Sequence, residues 1–191
     1  MQFKKIKNET VESILATYEP SDEILEVTNA KMAPDEFLKV AVDNELYMDA
    51  VAFLAHALPL RESIYWAYLT VATLKEKFNS PKDKEILIAV ENWFKSPDEA
   101  NRRACGALAE ELKLKTGPAW LSEAVFWSGG SILPPGQPDT EPAQYLYAKA
   151  VSGSVNLSAS LDEKELKTVH ANFKKVLKIG FNLAEGGNGK I

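Results

Sequence analysis

Leu60-Arg61-Glu62-Ser63-Ile64-Tyr65-Trp66-Ala67-Tyr68-Leu69-Thr70-Val71-Ala72-Thr73-Leu74 decides the fold class. Within it Ile64, Ala67, Tyr68, Val71 and Leu74 recur at i, i+3, i+4, i+7 and i+10, which lays one apolar stripe along a single helix face. Pro59 precedes the stripe, and Asn79-Ser80-Pro81 breaks the chain just after Phe78.

The same period extends in both directions. Upstream, Ala33-Pro34-Asp35-Glu36 places a proline and two acids in a first turn, where the missing N–H costs nothing and the helix dipole favours negative charge. A helix to about Val42 follows, and another runs from about Glu45 through Met48, Val51, Ala52 and Ala55 to Leu58. Downstream, Pro81 to Phe94 turns Ile86, Val90 and Trp93 inward. Ser96-Pro97-Asp98-Glu99 then reads as an N-cap, an N1 proline and two first-turn acids, opening a helix through Leu108 to Leu112. Thr116-Gly117-Pro118 starts a short helix that carries Trp120, Ala124 and Trp127.

After Ser128-Gly129-Gly130-Ser131 the pattern stops, and Pro134, Pro135, Gly136, Pro138 and Pro142 make a loop. Periodicity resumes near Ala143 with Leu146, Ala150, Gly153 and Leu157, and a last helix covers roughly Asp162 to Phe181. Scarcely any run alternates apolar and polar residues as a half-buried strand would. The expected fold is all-α: a compact multi-helix bundle, or a short α-solenoid-like stack of helix pairs, with one proline-rich loop. A single helical domain is expected over 1–185, with a flexible Gly-rich tail over 186–191.

Composition narrows the function. The 191 residues are 46% apolar and 26% charged with a formal charge of -5, a balance that disfavours nucleic acid as a partner. Residues 1–60 hold eleven Asp and Glu against five Lys, whereas residues 161–191 hold four acids against six Lys. Contact between the two ends, within one chain or between two, is one use of this asymmetry, and solvated helix faces are the other reading. A homo-oligomer is left open. No stretch is apolar for long enough to insert in a membrane, and the N-terminus lacks the apolar core of a signal peptide, so a cytoplasmic location is expected.

Candidate chemistry is thin. The one cysteine, Cys105, sits between Ala104 and Gly106 and reads as a small buried thiol; neither His56 nor His170 has a partner at ligand spacing. Gly186-Gly187-Asn188-Gly189-Lys190 lacks the first glycine and the hydroxyl residue of a phosphate loop. No catalytic residue, metal or cofactor is expected. Trp66, Trp93, Trp120 and Trp127 fall at apolar-phase positions and read as core. The segment from Trp120 through Pro138 reads either as a rigid brace over that core or as a groove for a partner.

Three strings carry a resemblance: Arg61 to Ala67, Asn101-Arg102-Arg103-Ala104, and Trp127-Ser128-Gly129-Gly130-Ser131-Ile132-Leu133-Pro134-Pro135. With them the chain resembles, from about Leu58 to Leu157, an uncharacterised bacterial family found among type VI secretion genes. The resemblance brings no catalytic residues. It implies an adaptor, chaperone or accessory role whose partner is another protein, a secretion-system component or an effector. A secreted effector or its cognate immunity protein is the alternative, and an enzyme with an unrecognised carboxylate site is a third. The residues expected to meet a partner are Trp127, Ile132, Leu133, Pro134 and Pro135, with Arg102 and Arg103 either contributing polar contacts or bracing the helix against the loop.

Overall fold

Prolines and short polar side chains set most of the helix starts in the computed structural model, which describes residues 3–161 and 163–190. Among them are ten α-helices: α1 (Glu12–Leu15), α2 (Asp22–Val27), α3 (Pro34–Asp43), α4 (Tyr47–Ala57), α5 (Leu60–Thr73), α6 (Pro81–Lys95), α7 (Glu99–Glu111), α8 (Gly117–Phe126), α9 (Leu146–Ser160) and α10 (Leu166–Ala184). No strand occurs among the described residues, as the apolar period requires.

The caps show how the sequence writes these boundaries. Ser80 Oγ accepts from Asp83 N at 3.1 Å, and the Asp83 carboxylate in turn accepts from Ser80 N at 3.3 Å, a reciprocal capping box that opens α6. Thr116 does the same one-sided work for α8. One start differs from expectation. The cap of α7 is Asp98, whose Oδ1 accepts from Asn101 N at 2.9 Å, and Pro97 stays outside the helix. Ser96 cannot begin α7 because its N–H still donates to Asn92 O at 2.8 Å and so ends α6. The ninth and tenth helices also start late, at Leu146 and Leu166; the expected start at Asp162 lies outside the described residues. α1 and α2 were not expected, since each buries a single side chain, Ile14 or Ile24, and so shows no apolar stripe.

α9 is the centre of the packing: it meets α8, α5, α4 and α10. Contacts between elements so far apart in sequence make a bundle, whereas a solenoid would restrict each helix to its neighbours. Small residues let α8 and α9 close together. A Cβ on Gly117 would stand 2.1 Å from Ser158 Oγ, and Ser154 Oγ donates to Gly117 O at 2.8 Å. Across the bundle, fully buried Trp66 of α5 donates its Nε1–H to Val176 O of α10 at 2.8 Å. That approach needs Gly180, where a Cβ would fall 2.4 Å from Leu54 Cδ2.

The N-terminal segment is tied to this body at named points. Val11 N–H donates to Met32 O at 3.0 Å and Lys5 N–H to Ala184 O at 2.9 Å. His56, buried in α4, lies 2.9 Å from Thr17 Oγ1, whose own hydroxyl donates to Ile14 O at 2.6 Å. Thr17 therefore accepts from His56, which fixes the imidazole proton on Nδ1. At the other end, Gly187 N–H donates to Asn182 O and Gly189 N–H to Asn182 Oδ1, both at 2.8 Å. No helix of the described residues is long and apolar enough to cross a membrane.

Candidate functional site

α7 and α8 form a close pair because Gly106 admits the Phe126 ring: a Cβ there would sit 2.6 Å from Phe126 Cδ2. Ser122 Oγ fastens the pair by donating to Cys105 O at 2.8 Å. Burial pushes the Cys105 thiol up to about 11, so it stays a protonated, unreactive filler.

The chain leaving α8 is held by two arginines. Arg102 is 4% exposed. Its Nε and Nη2 each meet a different oxygen of Glu99 at 2.7 Å, its Nη2 also donates to Ser131 O at 2.8 Å, and its Nη1 donates to Phe126 O. The guanidinium lies 4.8 Å from the Phe126 ring centre. Arg103 donates to Leu133 O at 3.1 Å, to Ser131 O at 3.2 Å and to Glu99 Oε1 at 2.5 Å. The hydrogen bonds from Arg102, then those from Arg103, hold the Glu99 carboxyl down to about 2. Gly130 is required on two counts: its φ is +65°, and a Cβ would stand 3.1 Å from both Arg102 Nε and Glu99 Oε2.

Beyond Gly130 the proline segment closes on itself. Ile132 N–H donates to Thr140 O at 2.8 Å, and Ser131 Oγ accepts from Leu133 N and Thr140 N at 3.2 Å. Its tip is a tight turn with Pro135 second, Gly136 third at φ +89°, and Gln137 N–H donating to Pro134 O at 3.2 Å.

Between this loop and the two helices runs a groove of about 600 Å³. α7 supplies Arg103, Gly106, Ala107 and Glu110; α8 supplies Glu123 and Phe126; Ile132, Pro134 and Pro135 overhang it. Lys113 and Leu114, consecutive left-handed residues at φ +51° and +53°, close the far end. Glu123 is half-buried, and none of the hydrogen bonds or ion pairs among the described residues uses its carboxylate. Burial, and then the neighbouring charge of Glu110, push it up to about 7. Glu110 itself is exposed. Elsewhere, α5 and α6 enclose a second groove of about 520 Å³ walled by Tyr65, Tyr68 and Phe94. Arg61 already lies over Phe94 there, 5.7 Å from its centre, and Tyr68 donates to Glu91 at 2.6 Å.

A family pattern matches residues 37–184, from within α3 to the last residue of α10. The chain belongs to DUF6931, a family of unknown function. The resemblance read over Leu58 to Leu157 lies inside that match, and the DUF6931 region contains the whole α7–α8 groove, while α1 and α2 precede it. No curated protein and no solved structure matches the chain.

Of the seven residues expected at a partner surface, the DUF6931 fold brings Arg103, Ile132, Pro134 and Pro135 into the groove. Arg102 lies beneath as a tether. Trp127 points elsewhere, packing edge-on to Trp120 at 6.4 Å, and Leu133 contributes its carbonyl to Arg103. Phe126, Gly106, Glu110 and Glu123 line the groove without having been expected there. Their i, i+3, i+4, i+7 spacing from Arg103 through Glu110, and i, i+3 from Glu123 to Phe126, was a usable signal once a second helix face was sought. Among the described residues no three His, Cys, Asp or Glu side chains gather as metal ligands would.

Proposed function

We propose that the protein is a non-catalytic interaction module of the bacterial cytoplasm, an adaptor, chaperone or accessory protein of a type VI secretion system, and that its partner docks in the α7–α8 groove. One observation carries the reading. Four guanidinium hydrogen bonds, from Arg102 to Phe126 O and Ser131 O and from Arg103 to Leu133 O and Ser131 O, fix the loop with Ile132, Pro134 and Pro135 over the groove. A proline-stiffened surface that is already ordered loses little freedom on binding. The resemblance to a family found among type VI secretion genes supports the secretion setting.

A second reading, a cognate immunity protein, is favoured by Glu123, which has no ion pair among the described residues and stands beside Glu110, an arrangement that suits a basic toxin. Affinity capture of the tagged protein at native expression in its own host tests both. Ala107→Glu fills the groove from an exposed position of α7, and Trp127→Ala alters a side chain outside it. Secretion components recovered by the wild type and by Trp127→Ala but lost by Ala107→Glu support the adaptor; a basic toxin with the same pattern supports the immunity protein. Equal recovery by Ala107→Glu overturns the groove as the docking site.

A further inference from the structure

The acidic first third and the basic last helix find little use for one another within a chain. Among the described residues one ion pair, Glu45 with His170 at 3.4 Å, joins residues 1–60 to residues 161–191, and Lys174 Nζ lies 6.0 Å from the centre of the Tyr47 ring. Yet α10 presents a groove of about 600 Å³ with an apolar floor of Val42, Leu177 and Phe181. Its rim carries Lys174, Lys178 and Lys190 against a single acid, Glu185. None of the ion pairs among the described residues uses these three ammonium groups. No residue of α2 lines the groove.

α2 has the complementary surface. Ile24 is its only buried side chain, and Asp22, Leu25 and Glu26, at i, i+3 and i+4, share the opposite face. Leu25 is left 49% exposed between two carboxylates that join no ion pair among the described residues. The helix is held in place by its cap, since Ser21 donates to both oxygens of Asp49, at 3.1 and 2.9 Å. That acidic face, with Leu25 as its apolar knob, matches, in sign and in pattern, an apolar trough rimmed by lysines. The knob precedes the DUF6931 region; the trough lies within it except for Glu185 and Lys190.

We propose that the chain self-associates head to tail, with α2 of one copy seated in the α10 groove of the next, Leu25 on the Leu177–Phe181 floor and Asp22 and Glu26 beside Lys174 and Lys178. Such a contact joins two different surfaces and leaves one of each free at the ends. It is independent of the α7–α8 groove.

Sedimentation velocity of the full chain from micromolar to submillimolar concentration tests it. The wild type is expected to associate with rising concentration, and less so as salt screens the charges. Lys174→Glu with Lys178→Glu, and separately Asp22→Lys with Glu26→Lys, should each sediment as a monomer while keeping wild-type helicity and melting temperature. Mixed in equal amounts they should associate again, because the first variant keeps a native α2 and the second a native groove. Leu25→Ala should weaken association at least tenfold. A wild type that stays monomeric throughout, either double variant associating as the wild type does, or a mixture of folded variants that stays monomeric would each overturn the proposal.

Discussion

Replacing Glu123 by Gln removes a carboxylate that the groove holds in an unfavourable charged state. The structure raises it from its ordinary 4.5 to about 7, through burial first and Glu110 second. Full enclosure would make that rise worth about 3 kcal/mol. With half of the side chain in water, screening reduces it to about 1 kcal/mol. The sign follows from linkage: between 4.5 and about 7 the folded chain keeps a proton that the unfolded chain has lost, so this group costs stability as pH rises through that window. Urea unfolding of both proteins, at about pH 5 and about pH 8.5, isolates the contribution. Glu123→Gln should match the wild type at the lower pH and exceed it by about 1 kcal/mol at the higher. Equal stability of the two at the higher pH, or an equal gain at both, would refute the assigned cause.

Further outcomes follow from the clamp and the core. Arg102→Ala leaves Phe126 O without its donor and Ser131 O with Arg103 alone, and should cost about 3 kcal/mol in urea unfolding. Gly130→Ala meets both a positive φ and the Arg102 and Glu99 side chains, and should cost about 1–2 kcal/mol by the same assay. Trp66→Phe removes the Nε1–H donated to Val176 O and leaves a gap beside Gly180, for a loss of about 2 kcal/mol read from the thermal midpoint. Burial, and then Lys149, lower His56 from 6.5 to about 4, so the fold should lose stability as pH falls through that interval while an NMR titration of the His56 ring shows no midpoint above about 5.

Helix existence was legible wherever an apolar stripe reached a shared core. α5 and α6 follow their stripes because Ile64, Ala67, Val71, Ile86, Val90 and Trp93 are all buried. Boundaries were read less well where a side chain had two claims on it, as Ser96 does between ending α6 and starting α7. α1 and α2 were invisible because a helix that buries one residue has no stripe. The site was half legible. Proline and glycine announced a loop, and Ser128 to Ser131 a turn, but which side chains face the groove depends on how α7 meets α8. That meeting is set by Gly106 under Phe126, a long-range contact that no local period encodes. Trp127, read both as core and as a partner residue, stands partly buried against Trp120 outside the groove.

The most direct test of a docking groove is site-specific photocrosslinking in the native host, with the photoreactive side chain at Ala107 in the groove and, as control, at exposed Ile88 on α6. One dominant crosslinked protein is expected from position 107, and it should be absent from position 88. No crosslinked partner at 107, or the same partner from both positions, would contradict it.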